Sequence, residues 1–79
     1  MKEVIINING ELKTLNVSLV FASRNPKTNQ FSINLSYSEF EQQKWIRLFC
    51  DEEETEALIS GIREGNLTDL RQYKAQEVN

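Results

Sequence analysis

The sequence predicts an α+β domain, a four-stranded antiparallel meander with one helix packed across a face and a short C-terminal helix beside it. Three observations carry that expectation. Four stretches alternate apolar and polar residues and are rich in β-branched and aromatic types, one stretch has helical spacing behind an acidic start, and the polar segments between them are short. A chain of 79 residues has room for one such domain, taken as 1–79 with its last few residues fraying. A domain this small hides only about 60 to 65 % of its unfolded surface, so its stability margin is thin unless a disulfide, a metal or another subunit helps.

The first strand is expected over residues 2–9, where Val4, Ile6 and Ile8 share one face. The second, residues 12–22, puts Leu15, Val17, Leu19 and Phe21 together, with Thr14, Asn16 and Ser18 opposite. Between them, Asn9 and Gly10 as turn residues would set Ile6 against Lys13 and Ile8 against Glu11. A type II′ turn at Gly10 and Glu11 instead pairs Ile6 with Leu15 and Val4 with Val17, and that register is expected because it wastes no apolar position.

Residues 23–30 are polar around the only proline and form a loop. The third strand, residues 30–37, alternates strictly: Phe31, Ile33, Leu35 and Tyr37 face the core, and the polar residues between them face water. Residues 38–43 offer either a helix start, through the capping-box pair Ser38 and Glu41, or a wide hairpin loop. Continued as a helix they give a poor apolar stripe, so loop followed by strand is expected.

The fourth strand, residues 44–50, is apolar on both sides: Ile46, Leu48 and Cys50 point one way, Trp45 and Phe49 the other, with Arg47 between the last two. The helix, residues 52–64, begins behind Asp51, with Glu54 completing a capping box and Glu52 and Glu53 in the first turn, where the unpaired N–H groups favour carboxylates. Thr55, Leu58, Ile59 and Ile62 form its buried stripe, and Gly65 or Asn66 ends it. A short helix from Thr68 then turns Leu70 and Tyr73 inward.

Several functions are disfavoured by composition. The chain has no histidine and one cysteine, so a disulfide within it is excluded and the commonest transition-metal ligand is missing. Consecutive helical carboxylates in DEEETE splay apart instead of converging on an ion. There is no glycine-rich phosphate loop, and Cys50 has neither a base nor a second thiol to work with. No catalytic residue, cofactor, metal or small-molecule substrate is expected. The absence of an apolar run of membrane length and of a signal-like N-terminus gives a cytoplasmic expectation without membrane contact.

Charge is uneven. Residues 1–38 carry +2, residues 39–56 carry −5, and the remaining residues balance. The acids of that waist are Glu39, Glu41, Asp51, Glu52, Glu53, Glu54 and Glu56. The primary functional expectation is a non-enzymatic protein-interaction domain, a homodimer formed through Trp45, Arg47 and Phe49 on the second face of the sheet, since these residue types are enriched at interface hot spots. The alternative is an acidic inhibitor or decoy that mimics nucleic-acid phosphates to block a basic protein. Small acidic αβ proteins of phages and mobile elements are similar to this chain in size and charge alone. A nucleic-acid contact through the loop at 24–30, with Arg24 and Lys27, is the weakest expectation, because no basic stripe with interleaved aromatics is visible.

Overall fold

The computed structural model describes residues 2–78. Five strands, β1 (Lys2–Ile8), β2 (Glu11–Arg24), β3 (Phe31–Glu39), β4 (Gln42–Cys50) and β5 (Ala75–Val78), form one antiparallel sheet in sequence order. A 3-10 turn, Glu52–Glu54, leads into α1 (Thr55–Glu64), and Gly65 ends the helix in the left-handed region at φ 77°. The α+β class, the four predicted strands and the helix are therefore present, and a fifth strand replaces the predicted C-terminal helix.

That replacement has a backbone cause. Nine residues make a marginal helix on their own, whereas the sheet offers two open edges with unpaired N–H and C=O groups. Residues 68–70 take the edge of β1: Ile5 N–H donates to Thr68 O at 2.8 Å, and Leu70 N–H donates to Ile5 O at 2.9 Å. Farther on, Phe49 N–H donates to Lys74 O at 2.9 Å and β5 continues along β4. One segment thus joins both edges and curls the sheet. Leu70 is fully buried by this route and Tyr73 partly so. The expected fraying of residues 76–79 gives way to pairing of residues 76–78 with β4; Asn79 lies outside the described residues.

The first hairpin corrects the expected register. Ile6 pairs with Lys13, Ile8 with Glu11 and Val4 with Leu15, so Asn9 and Gly10 are the turn residues, at φ 53° and 85°. Asn-Gly suits a type I′ turn, whose twist matches the strands, and this local preference outweighs direct apolar pairing. No apolar position is wasted, because Leu70 and α1 join the cluster holding Val4, Ile6 and Ile8.

A bulge in β2 makes the second correction. Val17 pairs with Tyr37 but Leu19 with Ser36, so Ser18 is an extra residue and every later side chain changes face. Val20 becomes the core residue, while Leu19 and Phe21, expected beside Leu15 and Val17, point outward at 54 % and 45 % exposure. The third correction is at residues 38–43. They form a tight hairpin with Phe40 and Glu41 as its two turn residues, at φ 52° and 65°, not a wide loop.

The inner face holds one core. Val4, Ile6, Leu15, Val17, Val20, Ile33, Leu35, Ile46 and Leu48 meet Leu58 and Ile62 of α1, and Thr55 is buried with them. Strand β2 runs past the start of β1. The helix fills the gap, and Arg63 Nη2 donates to Val20 O at 2.8 Å on the uncovered edge.

Candidate binding face

Every outward-facing polar residue of β3 was expected to meet water, and three of them do not. Ser32, Asn34 and Ser36 are 4 %, 7 % and 0 % exposed although no helix lies over them. Their cover comes from the flanking strands. Ser36 lies between Leu19 and Trp45, Asn34 between Phe21 and Arg47, and Ser32 between Ser23 and Phe49. Phe21 and Trp45 stand on opposite sides of β3, yet their rings meet edge to face with centroids 5.5 Å apart, arching over the central strand.

The shielded polar groups are satisfied where they lie. Asn34 Nδ2 donates to Ser23 Oγ at 2.8 Å, the Ser23 and Ser32 hydroxyls are 3.1 Å apart, and Gln43 Nε2 donates to Ser36 Oγ at 2.6 Å. Small polar residues let the large neighbours lean inward, and their bonds remove the cost of dehydrating them.

Trp45, Arg47 and Phe49 share this outer face, as the alternation of β4 predicts, and all three are half-buried. Ile46 and Leu48 face the core and are fully buried. Sequence reasoning missed Leu19 and Phe21, which the bulge turns to this side. An odd residue in an otherwise period-two strand leaves only a weak signal, since both faces of β2 then contain apolar residues.

At the end of the face nearest the 25–30 loop, a cleft of about 650 Å³ is lined by Arg24, Lys27, Gln30, Ser32, Arg47 and Phe49 among others, and none of its lining residues is acidic. Arg24 and Lys27 thus share a cleft with Arg47 and Phe49, a juxtaposition that neither segment predicts alone. The loop is internally tied. Asn25 N–H donates to Gln30 O at 3.0 Å, Asn29 N–H to Asn25 O at 2.8 Å, and Lys27 N–H to Asn25 Oδ1 at 2.9 Å.

The acidic residues do not gather on one surface. Glu39 and Glu41 lie at the hairpin end of β4 and Asp51 to Glu56 at its other end, a nine-residue strand apart, or about 30 Å. Glu39 is bonded to Lys44 Nζ at 2.9 Å; that bond lowers the Glu39 pKa and raises that of Lys44. Glu54 is occupied by the backbone, accepting from Asp51 N–H at 3.1 Å, and also accepts from Tyr73 Oη at 3.1 Å. Burial, with that hydrogen bond second, raises the Tyr73 pKa. Cys50 is buried, and dehydration, helped by Glu54 and Asp51, raises its thiol pKa, the opposite of what an activated nucleophile requires.

Among the described residues no three or more carboxylate or thiol groups converge as a cation site, and no helix is long and apolar enough to cross a membrane. Compared with known proteins, the chain matches no family model, no curated protein and no solved structure.

Proposed function

We propose that the protein is a non-enzymatic, cytoplasmic interaction domain that self-associates through the outer face of its sheet. The observation that carries this reading is the row of Leu19, Phe21, Trp45 and Phe49, which α1 leaves uncovered because it packs on the inner face. Large aromatic side chains standing over a satisfied polar floor supply contact area with little rotamer entropy left to lose, and Arg47 among them adds a directional donor. Residues 68–70 bond to Ile5 on the β1 edge and β5 pairs with β4, so the edges left open, the four-residue β5 and the end of β2, are short, and strand addition is the less available route to a dimer.

Molar mass by light scattering across a tenfold concentration range tests this. The wild type should approach a dimer mass, and Trp45→Ala with Phe49→Ala should give a monomer whose circular dichroism remains that of the folded chain. A wild-type monomer at every concentration would remove the self-association reading.

A further inference from the structure

The geometry points to a second ligand for the outer face: a single-stranded nucleic acid, its phosphates held by Arg24, Lys27 and Arg47 and an unpaired base laid on Phe49. This goes beyond self-association and does not depend on it. The first support is charge. Among the described residues, Lys13, Lys44 and Arg71 are in ion pairs and Arg63 binds a carbonyl; of the five cations in neither, Lys2 and Lys74 stand apart while Arg24, Lys27 and Arg47 line one cleft. Three cations around one acid-free cleft attract an anion, and a groove of this size accepts a nucleotide unit.

The second support is position. The loop that follows Arg24 and carries Lys27 separates the cleft from a groove on its other side lined by Asp51, Glu52 and Glu53, and Arg24, the last residue of β2, borders both. A phosphate chain is drawn to one side of that loop and repelled from the other, which fixes its path along the outer face. The same acids disfavour an anionic bilayer, which would have to cover both grooves. Along that path stand Phe49, Arg47 and then the Phe21–Trp45 pair, rings that solvent reaches. Such rings stack on unpaired bases of any sequence, whereas paired bases in a duplex hide their faces. The negative net charge does not oppose this, because most of it lies at Asp51 to Glu56 and at the hairpin tip.

The test is fluorescence anisotropy of a fluorescein-labelled oligothymidylate, at protein concentrations where light scattering gives the monomer mass. Failure of strand binding is then read separately from failure of self-association. Three phosphate contacts predict that affinity falls about 20-fold between about 50 and about 200 mM salt, and that Arg24→Gln with Lys27→Gln reduces this dependence to about threefold. Phe49→Ala should weaken binding about tenfold at either salt concentration. The assignment is overturned by no anisotropy change at low salt, by an unchanged salt dependence in the double variant, or by tighter binding of duplex than of single strand. Release of the strand by inorganic phosphate at equal phosphate concentration would also overturn it, since the site would then read a phosphate alone.

Discussion

On the inner face of β3, Ile33 and Leu35 are buried because a second layer, α1 and Leu70, closes over the curled sheet. On the outer face, Ser32, Asn34 and Ser36 are equally buried, but by long side chains leaning across from β2 and β4. The two faces reach the same exposure by different physics. Inside, burial removes apolar surface from water and drives folding; outside, it shields polar atoms that must be paired and leaves the shielding rings half open to a ligand.

The strongest attempt to break this comparison is a matched pair of substitutions. Ile46→Ala, on the inner face, should cost about 2 to 4 kcal/mol in denaturant unfolding, by lost transfer energy and a cavity. Ser36→Ala, beside it in the same sheet, should cost only about 1 kcal/mol, because Gln43 is exposed enough to find water. Equal losses would mean that the outer face is a second core. Next in size is Phe21→Ala, expected to cost about 1 kcal/mol for the lost ring pair and to shift the emission of Trp45, the only tryptophan, to longer wavelength. An unmoved emission would show that the arch over β3 is absent in solution.

An effect of similar size but opposite sign separates backbone strain from either face. Phe40 and Glu41 hold positive φ without glycine or asparagine, and Phe40 is 90 % exposed. Replacing them with Asn and Gly should raise stability by about 1 kcal/mol and leave Trp45 emission unchanged. The smallest effect concerns the segment that lays Leu70 on the inner face. Arg71 pairs with Asp69 at 2.8 Å, and its hydrogen bonds lower the Asp69 pKa from 3.8 to about 2. Because the folded value is the lower one, the pair's contribution is present above pH 3.8 and is lost as pH falls toward 2. The protection of the Leu70 amide, taken relative to the intrinsic exchange rate at each pH, should fall across that window, while Trp45 emission stays constant.

Much of this was legible from the residues. Strict alternation in β3 and β4 located the core side and placed Trp45, Arg47 and Phe49 together, and the capping pattern at Asp51 located the helix. What stayed hidden depends on distant partners or on counting. The bulge at Ser18 inverts half of β2 for one added residue, so Leu19 and Phe21 were assigned to the wrong face. The path of residues 68–78 is decided by edges that exist only once the meander has formed. Burial of the polar row on β3 could not be read from β3 at all, since it is a property of its neighbours. The cleft likewise joins a loop and a strand that lie some twenty positions apart in sequence.

The segment that stitches β1 to β4 also sets an order of events during synthesis. When a ribosome has added residue 66, every part of the four-strand meander has been made, yet nothing covers either of its edges. At about 5 to 20 residues per second, the next dozen residues take about a second. Until residues 68–78 dock, the chain carries two bare strand edges and an unsealed interior, a state prone to pair with a neighbouring chain. Mutations that slow docking of Leu70 should therefore lower the yield of folded protein in cells more than they lower the stability of the finished molecule.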